Sequence, residues 1–186
     1  MKRGLDLLLS LVAAILLVVP SLLISLVVRL TSQGPALYWS DRVGRYNRIF
    51  RMPKFRTMRV DTPVVATHML TNPERHLTPI GGFLRRTSLD ELPQLWSILS
   101  GDMSIVGPRP ALFNQADLIA MRTAFGVHEL TPGLTGWAQI NGRDELDIPT
   151  KVRLDEEYLK RSSLLFDLRI IARTASQAFF GHGVAH

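Results

Sequence analysis

Residues Leu7–Val28, LLLSLVAAILLVVPSLLISLVV, run for 22 positions without a charge. As one helix rising 1.5 Å per residue this is about 33 Å, the thickness of a bilayer core. A cleaved signal peptide would be shorter and would end on a small-x-small site, which is missing here. A buried core helix would carry a polar face, and this run is apolar all round. Pro20, beside Ser21, removes one backbone hydrogen bond and bends a helix, and the serine hydroxyl can satisfy the freed carbonyl. Lys2 and Arg3 precede the run and Arg29 follows it. Positive charge prefers the cytoplasmic side, and a bent helix with both ends there satisfies both flanks, whereas a spanning helix strands one. The residues leave both topologies open and favour the re-entrant one. They divide the chain into a membrane helix over 1–30 and a body over 31–186.

The 186 residues suit one modest domain plus this appendage. The absence of cysteine excludes disulfides, thiolate nucleophiles and cysteine-ligated zinc. A net charge of +6 from 22 Lys and Arg favours an anionic partner: nucleic acid, lipid headgroups or a phosphorylated small molecule.

Beyond the run, Thr31–Pro35 reads as a turn and Ala36–Ser40 as a strand, with Tyr38 and Trp39 suited to the headgroup level. A basic tract follows: Arg42, Arg45, Arg48, Arg51, Lys54, Arg56 and Arg59. Gly44 and Pro53 argue against one helix there, so strands are expected near Arg48–Met52 and Phe55–Val60. Asp61–Pro79, with three prolines, reads as an irregular loop. Helices are expected over Ile80–Arg86, Leu89–Leu99, Leu112–Phe125, Pro149–Lys160 and Leu164–Phe180. The last has an apolar face of Leu164, Leu168, Ile171 and Ala175. Thr131–Arg143 should be loop around a short strand. The expected fold class is α/β, mostly α, with short strands and amphipathic interfacial helices.

The sequence has no Walker phosphate loop, dinucleotide fingerprint, nucleophile elbow or HExxH. His182 and His186 have metal-ligand spacing, but Gly181 and Gly183 spoil the helix they would need. The strongest chemical signal is Thr87-Ser88-Leu89-Asp90-Glu91-Leu92-Pro93-Gln94. Ser88 with Glu91 could form a capping box; Asp90 as the cap is preferred, because it places Pro93 where a missing N–H costs nothing. On that view both acids could simply compensate the helix dipole. Their surroundings point further. Arg85 and Arg86 lie upstream, and Asp102 and Gly107-Pro108-Arg109-Pro110 downstream. Guanidinium groups hold phosphate oxygens, and a carboxylate among cations is kept ionised, as a nucleophile or Mg²⁺ ligand requires.

Taken together, these residues resemble the bacterial sugar transferases, the monotopic polyprenol phosphate phosphoglycosyl transferases. The matching blocks, in family order, are Lys54-Phe55-Arg56-Thr57-Met58; Arg85 with Ser88 to Gln94; Gly101-Asp102-Met103-Ser104 into Gly107 to Pro110; Pro132-Gly133-Leu134-Thr135-Gly136 with Gln139 and Asn141-Gly142-Arg143; and Asp155 with Tyr158. The resemblance implies a re-entrant helix broken at Pro20 and Ser21, a catalytic body over 31–186 on the cytoplasmic face of the bacterial inner membrane, and Mg²⁺ with Asp90 as a ligand. It implies that Asp90 attacks the β-phosphate of a UDP-sugar and expels UMP, and that undecaprenyl phosphate then takes the sugar phosphate to begin a membrane glycoconjugate. Glu91 completes the dyad. Lys54, Arg85 and Arg109 match phosphate-holding positions, and Gln139 and Arg143 face the nucleotide. Membrane lipid is an expected partner, nucleic acid is not, and a homodimer is compatible. The Arg42–Arg48 stretch departs from the family pattern by being more basic. Two rivals remain on the residues alone: a membrane-tethered nucleic-acid module using Arg42 to Arg59, and an interaction subunit without chemistry. Both predict indifference to Asp90.

Overall fold

The computed structural model describes residues 2–65, 70, 72–142 and 146–180. Helix α1 (Lys2–Thr31) is continuous, with Pro20 inside it. The break expected at Pro20 and Ser21 is therefore an interior point of one helix, since proline deletes a single bond from a long ladder. Most of its large apolar side chains lie open, among them Ile15, Leu16, Leu22 and Leu23.

Both ends of α1 are nevertheless fastened to the body. At the start, Lys2 Nζ donates to Asp167 Oδ2 (2.6 Å) and Val106 O (3.0 Å). Arg3 donates to Ile98 O and Leu99 O, carbonyls in the last turn of a helix. Asp6, buried, accepts from Ser104 Oγ (2.8 Å) and Ile105 N (3.2 Å). At the far end Val28 is buried with Phe55 and Leu84, and Ile24 packs beside them.

Strands β1 (Leu37–Val43) and β2 (Ile49–Phe55) form an antiparallel hairpin, and β4 (Ala111–Leu112) pairs with the other edge of β1. The strand expected over Phe55–Val60 is replaced by a single bridge between Met58 and Leu77. The chain leaves the sheet there because Arg56 N still bonds Ala36 O, but Thr57 O is taken by Thr78 N. Pro53 is tolerated inside β2 because that strand is an edge. The register opposes Tyr38 to Lys54, Ser40 to Met52 and Arg42 to Phe50, so these six share one face. Met52 packs on Ile98 and Met103, which makes this the inward face.

The segment Leu89–Leu99 is two pieces, a 3-10 turn at Leu89–Glu91 and then α3 (Gln94–Ser100), which packs along α1. Pro93 occupies the cap position of α3, and no side chain caps it. Neither expected capping arrangement forms. Ser88, at the end of α2 (Gly81–Arg86), adopts the left-handed conformation (φ 56°), turning the chain before the acids instead of capping a helix.

Parallel strands β3 (Ser104–Val106) and β5 (Gly133–Thr135) meet where two glycine motifs cross. A Cβ on Gly133 would lie 2.1 Å from Gly107 N, so only glycine allows this approach. The helix expected over Leu112–Phe125 is shorter, α4 (Ala116–Ala124), because Ala111 and Leu112 belong to the sheet. Short helix α5 (Trp137–Ile140) follows β5 inside the segment expected as loop. Helix α6 (Ile148–Arg161) starts at Asp147, whose carboxylate accepts from Thr150 N. Helix α7 (Leu164–Phe180) matches its expected limits but buries Phe166, Asp167 and Ile170, leaving Leu164 and Leu168 exposed. Its orientation follows from Tyr158, which donates to Asp167 Oδ1 (2.7 Å), and from the bond between Thr174 and Thr135 (2.7 Å).

Candidate active site

The left-handed turn at Ser88 and the 3-10 turn after it carry Asp90 and Glu91 toward the inward face of the hairpin. Glu91 Oε1 accepts from Lys54 Nζ at 2.8 Å and from an Arg109 terminal nitrogen at 2.7 Å. Asp90, 7% exposed, lies farther from the same lysine, with Oδ2 at 3.9 Å from Nζ. The charges of Arg109 and Arg85 also act on Asp90. Four expected residues from three sequence blocks, Lys54, Asp90, Glu91 and Arg109, thus converge, and Arg85 acts on the same point. Asp102 instead accepts from Ser100 Oγ at the exposed end of α3.

The two acids have opposite electrostatics. Burial pushes the Glu91 carboxyl upward, but Arg109 and Lys54, through charge and hydrogen bonds, more than offset it and hold it well below the ordinary range. For Asp90 burial is the largest influence and raises its pKa, with Lys54 the main opposing charge. The cations expected to keep Asp90 ionised do lower its pKa, but burial, together with the Glu91 charge, outweighs them. Burial likewise lowers the pKa of Lys54, partly restored by Glu91.

Gln139 stands differently from the dyad. It is buried on α5, and its amide donates to Leu134 O (2.9 Å). Arg143, His182 and His186 lie outside the described residues. The basic tract is not a uniform positive strip: Arg45 donates to Glu129 O, Arg56 to Pro35 O, and Arg51 stacks on Trp39. Two residues outside the expected site also reach it. Arg42 lies on the Lys54 face and donates to Pro110 O, and its charge acts on Lys54. Arg122 donates to Arg109 O and is gripped by Asp155. Strand alternation at Ser40, Arg42, Met52 and Lys54 carries the signal for Arg42, but only once the hairpin register is known. Arg122 carried none, because it sat among the side residues of an amphipathic helix.

The model of the family described as bacterial sugar transferase matches residues 1–181. An undecaprenyl-phosphate glucose phosphotransferase of Komagataeibacter xylinus is 39% identical over 190 residues, covering 96% of this chain and 36% of that protein. An undecaprenyl-phosphate galactose phosphotransferase of Salmonella typhimurium is 35% identical over 191 residues, covering 94% of this chain and 40% of its own length. The chain thus spans less than half the length of these two relatives. An uncharacterized sugar transferase of Bacillus subtilis, EpsL, is 39% identical over 158 residues, covering 85% of this chain and 77% of its own. With the family model matching nearly the whole chain and a relative of similar length 39% identical, the chain belongs to the bacterial sugar transferase family.

Proposed function

We propose that this protein is a phosphoglycosyl transferase that moves a sugar 1-phosphate from a UDP-sugar to undecaprenyl phosphate, through a phosphosugar held covalently on Asp90. The observation that carries this reading is the division between the acids. Glu91 ties down Lys54 and Arg109, while Asp90 stays at the edge of their reach with a raised pKa. A carboxylate that is less stabilised is a better nucleophile, and nearby cations can neutralise an incoming diphosphate. An Asp90 oxygen forms a bond to the β-phosphorus as the bond from that phosphorus to the bridging oxygen breaks, and UMP leaves with the electron pair. A phosphate oxygen of undecaprenyl phosphate then attacks the same phosphorus. The aspartyl bond breaks, the carboxylate is restored, and the polyprenol diphosphate sugar that begins a glycoconjugate is released. Lys54, Arg85 and Arg109 hold the phosphates. The nucleotide end is assigned to Gln139 and Arg143, with Gln139 bracing the β5–α5 junction through Leu134 O.

Mg²⁺ ordinarily takes one or two carboxylates and completes its shell with water and substrate phosphates. Among the described residues no group of three or more His, Cys, Asp or Glu forms a cage. The dyad with a bound diphosphate fits the ordinary mode. Glu91 Oε1 is already shared by two cations, so Asp90 is assigned as the ligand. The ion supplies charge neutralisation on the diphosphate.

The same reading places the protein on the cytoplasmic face of the inner membrane with α1 entering and leaving one leaflet. Support comes from the two ends of α1, both fastened to one body. A helix crossing a bilayer would put one of those ends on the side away from the body, whereas both ends of α1 contact it. Exposed Trp96 on α3, beside α1, and Leu165 and Leu168 on α7 suit an interfacial seat.

The direct test supplies purified protein with a panel of UDP-sugars, Mg²⁺ and undecaprenyl phosphate. UMP release, a phosphosugar adduct on Asp90, and a loss of about 10³-fold or more in Asp90→Asn are expected. Normal turnover of Asp90→Asn would overturn the mechanism. Because the chain has no cysteine, single cysteines at Gly4 and Ser32 report topology directly. Both should react with an impermeant reagent from the cytoplasmic side, and labelling from opposite sides would refute the re-entrant seat.

A further inference from the structure

The loop from Val106 to Pro110 is held at almost every backbone position. Val106 O accepts from Lys2 Nζ, Gly107 N donates to Thr135 O, and Pro108 O accepts from Gly133 N. The next two carbonyls are held by side-chain guanidinium groups arriving from separate elements. Arg122, on α4, donates to Arg109 O at 2.8 Å, and Arg42, on β1, donates to Pro110 O at 3.2 Å. Each of these arginines is itself fixed. Arg122 Nε and a terminal nitrogen bond Asp155 Oδ2 at 2.9 and 2.6 Å, and Arg42 Nε bonds Ser40 Oγ at 3.0 Å.

A planar guanidinium anchored at one edge offers its other edge in a set direction, which an ammonium cannot do. Pro108 and Pro110 fix two further backbone angles on either side of Arg109. What remains adjustable is the Arg109 side chain, and that ends on Glu91 at 2.7 Å.

We propose that Arg42 and Arg122 are positioning residues for the transfer reaction, holding the carbonyls of Arg109 and Pro110 so that the Arg109 guanidinium meets Glu91 and the donor phosphate in one orientation. The proposal rests on the function assigned to Asp90 above and goes beyond it to two residues outside the reacting shell. Arg42 lies on the inward face of the hairpin, the face that also carries Lys54. The unusually basic Arg42–Arg48 stretch thus contributes at its first residue to the active loop, and Arg45 fastens the stretch to Glu129 O.

The test uses the full chain in lipid nanodiscs and follows UMP release for Arg42→Gln, Arg122→Lys and Arg109→Ala, alone and in pairs. A misplaced catalytic group costs about 10- to 100-fold in rate. Arg42→Gln and Arg122→Lys should each lower kcat by about this amount while KM for the UDP-sugar changes by less than about threefold. In the Arg109→Ala background neither should lower kcat further, because the group they position is gone. Losses that multiply in that background, or a kcat unchanged in Arg42→Gln, would overturn the proposal. Arg42→Gln keeps a polar side chain on the strand, and thermal denaturation checks that it folds, so it decides the matter even where Arg122→Lys fails to fold. Amide exchange at Gly107, Arg109 and Ala111 reads the clamp without turnover and should quicken about tenfold or more in Arg42→Gln; protection equal to wild type would count against it. If Asp90→Asn turns over normally the assigned function fails, whereas a dead Asp90→Asn beside a normal Arg42→Gln sinks the positioning role alone.

Discussion

Arg122 with Asp155 and Arg109 with Glu91 are both carboxylate–guanidinium contacts packed inside the body, and one peptide joins them through the Arg109 carbonyl. In the first, one arginine meets one carboxylate, the side chains are 9% and 2% exposed, and the remaining donor is taken by a carbonyl. In the second, one carboxylate oxygen serves two cations, Arg109 keeps over a third of its side chain in solvent, and a second acid stands close by. The closed pair is sealed from solvent, which denies a ligand access. The open cluster has unequal charges and solvent access, which are the conditions for receiving an anion. The difference lies in stoichiometry and access, not in residue type.

That contrast is tested most severely by neutralising each acid in turn. Asp155→Asn leaves the Arg122 charge buried beside an amide and should cost about 3–5 kcal/mol of stability. Glu91→Gln should cost less than about half of that. Water reaches Arg109, and burial already lowers the pKa of Lys54, so this lysine can shed its proton. Chemical denaturation of both variants gives the comparison, and equal losses would remove the distinction drawn between the clusters. Activity should respond in the other sense, with folded Glu91→Gln losing about 10²-fold or more in kcat because two cations lose their common anchor.

A smaller effect separates the acids within the open cluster. Glu91, with its pKa depressed, stabilises the fold above the ordinary glutamate range, and that contribution is lost only as the pH falls well below it. Asp90, with its pKa raised by burial, binds its proton more tightly folded than unfolded, so it costs stability as the pH rises through and above the ordinary aspartate range. If Asp90 is the nucleophile proposed above, it must be ionised to attack, and the acidic limb of kcat/KM should lie above the usual aspartate range. Lys54, Arg109 and Arg85 pull it down, and Glu91 pushes it up. Arg85→Gln removes one downward influence and should move the limb to higher pH, while Arg86→Gln, one residue along, serves as the control. A limb unmoved by Arg85→Gln would detach that arginine from the dyad.

The parts of this arrangement that could be read in advance were those written in local pattern. The apolar run gave a helix, the periodicity of Leu164–Phe180 gave α7 with its limits, and the motif order identified Lys54, Asp90, Glu91 and Arg109 as a set. What could not be read depended on register and on long-range bonds. Arg42 reaches Pro110 across 68 positions, and Lys2 reaches Asp167 across 165. The buried face of α7 differs from its apolar periodicity because Tyr158, Thr135 and Lys2 attract its polar residues inward. A hydrophobic count alone turns such a helix the wrong way when polar partners wait in the core.

The smallest test concerns the backbone that presents the two acids. Ser88 is left-handed, with φ 56° and ψ 16°, whereas Arg122 and Asp155 sit in regular helices. A left-handed L-residue carries a cost of about 1 kcal/mol, which glycine avoids. Glycine also gives the unfolded chain more freedom, a penalty of about 0.4–1 kcal/mol in the opposite direction. The two nearly cancel, so Ser88→Gly should leave the denaturation midpoint almost unchanged. Ser88→Val, β-branched and with no ease in that region, should be less stable than Ser88→Gly by about 1–2 kcal/mol. Its kcat should fall with stability, because Ser88 N bonds Arg85 O and Ser88 O accepts from Glu91 N, so the same turn links Arg85 to the dyad. If valine is accepted as readily as glycine, the turn is not set by local conformation, and the orientation of Asp90 and Glu91 must come wholly from the cations that surround them.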